Sequence, residues 1–232
     1  MKTELLYMKD MQGLTCSASI LEKLTNDDRD VIILDQTIFY PQGGGQPYDT
    51  GFIKNEDESF VFEVEEVRFI EGTVHHIGIL KAGSMNIGTK VYCFVDKERR
   101  LLNTSLHSAG HLVDLALKEL DVDWVPGKGY HFPQGAYIEY AGSLNGHNIE
   151  KLKQDITDKV EEIMGRNIQT KLVFDESKLQ NGKPMRTVYY GDFGIPCGGT
   201  HIANLSDIGR ITIRKIKMEK ENIRVSYSIA NI

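Results

Sequence analysis

Two short clusters, some ninety residues apart, carry donor atoms of the kind that hold a metal ion: His107 and His111 in His-Ser-Ala-Gly-His, and Cys197 and His201 in Cys-Gly-Gly-Thr-His. Three imidazoles and one thiolate are ligand types that a tetrahedral zinc ion takes. Residues four apart on a helix share one face, roughly 5 to 6 Å between Cβ atoms, so His107 and His111 can grip one ion. The glycines after Cys197 let the loop fold back so that Cys197 and His201 close the other side. A second reading stays open on spacing alone: solvated histidines on an ordinary helix, and a loop cysteine buried as a small hydrophobe.

The surrounding chain must position these donors. From about Lys97 the apolar period is helical, with Leu102, Leu106, Ala109, Leu112, Val113, Ala116 and Leu120 in one stripe. His107 and His111 fall beside that stripe, in line with Asn103 and Asp114, which predicts a cleft edge and not the deepest core. A second helix is predicted from Asn148 to Met164, with Ile149, Leu152, Ile156, Val160 and Ile163 inward. Strand-like segments at 135–140, 169–174, 208–218 and 223–229 complete an α+β layer over residues 93–232, a mostly antiparallel sheet covered by helices. Residues 1–92 instead alternate apolar and polar in short runs, at 31–34, 60–64, 75–79 and 91–95, which predicts a small β-barrel domain. No internal repeat or low-complexity segment is visible.

The 232 residues suit one large or two small domains, and a hydrophobic share of 41% is ample for a packed core. No run approaches the eighteen or so apolar residues that span a bilayer. The opening MKTELLYMKDMQG lacks an apolar signal region, and three cysteines (Cys16, Cys93, Cys197) at irregular spacing do not suggest a disulfide framework, so a cytoplasmic location is expected. The net charge of −6 is unevenly placed: residues 1–90 hold 8 Lys+Arg against 15 Asp+Glu, and residues 91–232 hold 19 against 18. The tail from Ile202 carries Arg210, Arg214, Lys215, Lys217, Lys220 and Arg224 against three acids, a basic strip suited to phosphates or, equally, a solvated strand face.

Three further places carry two readings each. Gly43, Gly44 and Gly45 with Gln46 either let backbone amides approach a sugar-phosphate, with Gln46 bonding a base or ester, or build a tight turn. Lys128 and Gly129 either line a nucleic-acid end or start a strand. Arg224, which alternation groups with Ser226 and Ser228 opposite Ile223, Val225 and Tyr227, is either a surface arginine or the partner of a phosphate or developing oxyanion.

Five segments, in order, extend over almost the whole chain: FYPQGGGQPYDTG (39–51), HSAGHL (107–112), KGYHF (128–132), PCGGTH (196–201) and IRVSY (223–227). On these the chain resembles the AlaX family of free-standing alanyl-tRNA editing proteins, similar to the editing domain of alanyl-tRNA synthetase, and in particular its medium-length members with a β-barrel ahead of the editing domain. The resemblance implies an enzyme, an aminoacyl-tRNA hydrolase acting in trans on mischarged tRNA(Ala), chiefly Ser-tRNA(Ala) and also Gly-tRNA(Ala). It implies zinc held by His107, His111, Cys197 and His201, a catalytic Arg224, and substrate contacts from Gly43, Gly44, Gly45, Gln46 and Lys128. It implies tRNA as partner, with neither membrane nor nucleotide cofactor. The need is physical: a pocket that accepts Ala cannot exclude Gly by size, and it rejects an added hydroxyl only about a hundredfold. One position departs from the wider family, where Gln often precedes the Lys-Gly pair; here it is Gly127, so that role falls to another group such as Gln46 or Gln134. No class II synthetase signature is visible, which predicts editing without charging. Alternatives are a related deacylase of other specificity, such as for Ser-tRNA(Thr), a non-catalytic zinc-stabilised RNA-binding module, and a zinc hydrolase of small esters or amides.

Overall fold

Alternation of apolar and polar residues makes each of the early strands one-sided, and six of them close on one another so that no edge is left open. The structure, a computed structural model, describes residues 2–26, 29–180 and 182–230. The chain begins with β1 (Glu4–Leu5), α1 (Leu6–Lys9), β2 (Thr15–Asn26), β3 (Arg29–Leu34), β4 (Gln36–Thr37), β5 (Gly51–Lys54), β6 (Val61–Ile70), β7 (Thr73–Ala82) and β8 (Lys90–Val95). The order β2-β3-β7-β6-β5-β8 forms a closed barrel, while β1 and β4 make a small parallel pair. β8 closes the barrel by pairing on both sides, Cys93 lying opposite Cys16 of β2 and Ile53 of β5. Val31, Ile33, Ile53, Phe62, Val64, Val67, Val74, Val91 and Cys93 are among its buried residues.

The expected boundary at 92/93 falls inside β8. One compact unit comprises residues 1–43, 47–101 and 175–185; the other comprises 44–46, 102–174 and 186–232. Arg100, in the first turn of α2 (Lys97–Glu119), belongs to the first unit for a clear reason. Its buried guanidinium bonds Asp49 and the carbonyls of Gly13 and Ile38, and the Asp49 carboxylate also accepts from the Tyr40 amide. Every charge in that pair is matched, which is what burying it demands.

The second unit continues with β9 (Val125–Tyr130), β10 (Tyr137–Ala141), α3 (Ile149–Gly165), β11 (Thr170–Gln180), β12 (Lys183–Tyr190), β13 (Phe193–Pro196), β14 (Arg210–Glu219) and β15 (Asn222–Ala230), with Asp175–Met185 of β11 and β12 grouped with the barrel. Its main sheet is antiparallel in the order β14-β15-β10-β9. One face buries Ile138, Tyr140, Ile211, Ile213, Ile216, Ile223, Val225 and Tyr227. Against β14 packs α3, which buries Leu152, Ile156, Val160 and Ile163 and is capped by Asn148, whose side chain accepts from the Lys151 amide at 3.1 Å. In α2 the stripe is buried from Leu106 to Ala116, while Leu102 is exposed and Leu120, just past the helix, is half-buried. The predicted strand at 208–218 starts only at Arg210, because residues 205–208 form a 3-10 turn. No helix among the described residues is long and apolar enough to cross a membrane.

Candidate metal centre

All four predicted donors meet. His107 and His111 project from α2 one turn apart, and Cys197 and His201 come from the loop after β13. His107 Nε2 lies 3.1 Å from His111 Nε2 and 3.3 Å from Cys197 Sγ, and His201 Nε2 lies 3.3 Å from the same sulfur. The four ligand atoms all fall within 4.8 Å of one another. Bonds of 2.0–2.3 Å around a tetrahedral zinc put neighbouring ligand atoms about 3.3 to 3.7 Å apart, so the cluster nearly has the spacing of a filled site.

Each imidazole is fixed from behind. Gln46 Oε1 is 2.7 Å from His107 Nδ1, Asp114 Oδ2 is 3.1 Å from His111 Nδ1, and the Tyr190 hydroxyl is 2.7 Å from His201 Nδ1. With Nδ1–H donating outward, the lone pair of each Nε2 points at the common centre. The supporting groups are themselves held: Tyr140 donates to Asp114 at 2.6 Å, and Gln46 donates to the Thr200 hydroxyl at 2.8 Å and accepts from the Thr200 amide. Buried Arg186 straps the cysteine loop, donating to the carbonyls of Cys197 and Gly199. Gly199 is required here, since a Cβ would sit 2.0 Å from His107 Cε1.

The electrostatics suit a cation. Burial alone would raise the Cys197 thiol, but the imidazoles of His107, His201 and His111 around it hold it well below its ordinary value. Burial lowers His107, and lowers His201 to about 3. Burial opposes the charge on His111 too, yet Asp114 and the thiolate outweigh it and raise that imidazole to about 10. A positive charge is therefore favoured among these donors, and the donor set fits zinc.

His107 is fully buried, deeper than the cleft edge its helical position predicts, because a fourth imidazole covers it. His131, from the segment after β9, stacks on His107 at 4.6 Å and 16°, and the Tyr227 hydroxyl meets its Nδ1 at 2.5 Å and donates to the Leu106 carbonyl. Burial holds His131 well below its usual range, so it packs as a neutral ring. Neither His131 nor Arg186, Tyr190 and Thr200 was singled out from sequence. Strand parity alone, placing His131 on the face opposite Tyr130, is the signal that could have found the first.

The other predicted residues sort differently. Gln46 is buried, and its amide is used by His107 and Thr200 rather than turned outward to a base or ester. Gly44 and Gly45 form a turn with φ of 54° and 79°; a Cβ on Gly45 would meet the Gly129 carbonyl oxygen at 2.4 Å, so the close approach there is to this chain's own backbone. The Gly43 carbonyl accepts from the Tyr40 hydroxyl. Lys128 is exposed on β9, and so is Gln134 in the following turn. Arg224 stands on the sheet face opposite Val225 and Tyr227, 3.1 Å from Glu139, with its guanidinium 4.0 Å over the Tyr137 ring. Neither of these Arg224 contacts reaches the imidazole cluster.

Comparison with known proteins shows what this chain is similar to. A model of class II (A) tRNA synthetases matches residues 2–99, a match that reading for signature motifs did not find, and a model of the threonyl and alanyl tRNA synthetase second additional domain matches residues 185–225. The alanyl-tRNA editing protein AlaX-L of Pyrococcus horikoshii is 33% identical over 97% of this chain and 57% of its own length. The alanine–tRNA ligase of Clostridioides difficile is 32% identical over 88% of this chain and 24% of its own, and that of Shewanella loihica 31% over 87% and 24%. The chain thus spans a little over half of the editing relative and about a quarter of each ligase. The second of these models spans Cys197 and His201, two of the four converging donors, and along 97% of its length the chain is similar to an alanyl-tRNA editing protein of the AlaX type.

Proposed function

We propose that this protein is a trans-editing aminoacyl-tRNA deacylase that releases the amino acid from mischarged tRNA(Ala), chiefly Ser-tRNA(Ala) and secondarily Gly-tRNA(Ala), with zinc at the His107, His111, Cys197 and His201 cluster. The observation that carries it is the convergence of three lone-pair nitrogens and a thiolate in a chain related along 97% of its length to an alanyl-tRNA editing protein. The second unit, which holds all four donors, is the editing part; the barrel precedes it. A thiolate ligand needs a reduced cysteine, which supports a cytoplasmic location.

The ion, when bound, supplies a fixed positive charge able to polarise an ester carbonyl or a water. The chain's own residues do the positioning. Gln46, Asp114 and Tyr190 set the direction of the three imidazoles, and Arg186 sets the loop that carries the thiolate. Four protein ligands make a closed site by the usual rule. His111 and Cys197 are the partly exposed pair, so theirs is the side on which substrate or solvent enters. Gly43, Gly44 and Lys128 are proposed to flank the substrate. For Arg224, which lies over Tyr137 and beside Glu139 away from the cluster, on a face that also carries Lys215 and Lys217, a phosphate is the better-supported partner than a developing oxyanion.

A second reading, deacylation of Ser-tRNA(Thr), is favoured by the shared threonyl and alanyl character of the model matching residues 185–225. Incubation with Ser-tRNA(Ala), Gly-tRNA(Ala), Ala-tRNA(Ala) and Ser-tRNA(Thr) separates the two. Faster loss of Ser from tRNA(Ala), with Ala-tRNA(Ala) spared, is expected. Hydrolysis of Ser-tRNA(Thr) alone selects the second reading, and hydrolysis of none overturns both.

A further inference from the structure

The face of the main sheet that α3 does not cover carries an uninterrupted column of planar groups. Phe132 stacks on Tyr130 at 4.3 Å and 15°, Tyr130 stacks on Tyr137 at 5.1 Å and 17°, and the Arg224 guanidinium caps Tyr137 at 4.0 Å. Strand register explains the column. Tyr130 faces Tyr137 across β9 and β10, and Tyr137 faces Ser226, which faces Lys215. In the next row Glu139 faces Arg224, which faces Lys217. Small Ser226 leaves a shallow floor between the rings and the lysines.

The charge on this face is positive. Lys128, Arg214 and Lys215 are exposed and Lys217 is half-buried, against Glu139 and Glu219, which pair with Arg224 and Lys217. Flat rings beside cations, on a shallow open surface, match the chemistry of unpaired nucleotides: bases stack on aromatic faces without sequence preference, and phosphates meet lysine and arginine. A groove for a duplex would need no free ring. The column also ends in a telling place. Phe132 is its last ring, and the residue before it, His131, stacks on the metal-ligand candidate His107.

We propose that this face docks the unpaired 3′ end of an RNA, a base extending the column on Phe132 while Lys215, Lys217 and Arg224 meet phosphates. This rests on the tRNA-deacylase reading for its biological substrate, but the surface is testable without it. The probe is a labelled, uncharged single-stranded RNA of six nucleotides ending in CCA, titrated against the full-length protein by fluorescence anisotropy, with a blunt RNA duplex as comparison. Phe132→Leu, which keeps apolar volume and removes the ring, should weaken single-strand binding roughly tenfold and leave duplex binding unchanged. Phe132→Tyr should bind as the parent does. The double variant Lys215→Gln with Lys217→Gln, both partly solvated and so benign to folding, should reduce the slope of log affinity against log salt by about 1.4.

Unchanged single-strand affinity in Phe132→Leu, or equal losses for single strand and duplex, overturns the proposal. So does self-association of the parent protein that Phe132→Leu abolishes, since the face would then be a contact between copies. Because the probe carries no amino acid, binding reads the surface by itself. Failure of the unaltered protein to hydrolyse any aminoacyl-tRNA, with Phe132-dependent binding intact, would defeat the deacylase reading and leave this surface standing.

Discussion

His76 in the barrel and His107 in the second unit are the same residue in nearly the same burial, yet they end differently at one nitrogen. Both give Nδ1 an acceptor, the Ile32 carbonyl at 3.0 Å for His76 and Gln46 Oε1 at 2.7 Å for His107. His76 Nε2 then meets the Thr37 hydroxyl at 2.8 Å, a donor that completes it. His107 Nε2 meets Cys197 Sγ, an acceptor, and His111 Nε2, which offers a hydrogen only while that ring holds a second proton and a lone pair once it is lost. The first imidazole is satisfied by its own fold; the second is completed only by a proton or a cation. A buried histidine becomes a functional candidate when its last contact is another acceptor.

The comparison breaks most sharply at the cluster. Cys197→Ala, or dialysis against a strong chelator, should take the protein from about one zinc per chain to none and abolish deacylation, whereas His76→Gln should keep the ion. Elemental analysis beside single-turnover hydrolysis checks this; full activity in ion-free protein would remove the metal from the account.

Next in size is the acid response of the barrel. Burial lowers His76 to about 4 from an ordinary 6.5. Above pH 6.5 neither folded nor unfolded chain protonates this ring, so it adds no pH dependence. Between pH 6.5 and 4 the unfolded chain takes up a proton that the folded chain refuses, so stability falls as pH falls, by about 3 kcal/mol over the window. Urea unfolding at pH 7 and pH 4.5 should show this drop reduced in His76→Gln; equal drops in the two proteins would mean that other groups carry it.

The smallest effect belongs to Gln46. Replacing it with Ala leaves the four donors in place but frees the His107 ring to turn, which should weaken zinc affinity by roughly 10 to 100-fold. Competition with a fluorescent chelator measures this. Unaltered affinity would show that packing by His131 and Gly199 is enough to hold the ring.

Much of this was legible in the sequence where the signal is local. The stripes of α2 and α3, the start of the second helix at Asn148 and the four donors are read from residues within a turn or two of each other, and Asp114 falls in line behind His111 for the same reason. What was not legible depends on partners far along the chain. Gln46 reads as a substrate contact until its bond to Thr200, 154 residues on, turns it inward. Arg186 carries no signal of its own, since its burial depends on the carbonyls of Cys197 and Gly199 eleven and thirteen residues on. β12 and β13 went unseen because their sequences, KPMRTVYY and FGIP, mix charge, proline and glycine into runs that do not alternate cleanly. Leu102 extends the helical stripe by spacing, yet it is exposed and the buried apolar residues of the helix begin at Leu106, while polar Asn103, Thr104 and Ser105 are buried before it.

The threading of the chain between its two units has a consequence for how the protein can be dissected. Residues 44–46 leave the barrel unit for three positions and return, and residues 175–185 make the reverse excursion. The polypeptide therefore crosses from one unit to the other five times, and no single cut yields two self-sufficient halves. A fragment starting after the barrel would retain His107, His111, Cys197 and His201 but lose Gln46, the group that sets the tautomer of the first. The second unit is in this sense drawn from both sides of the barrel segment, and a recombination or truncation that separates them severs the ligand set from its alignment.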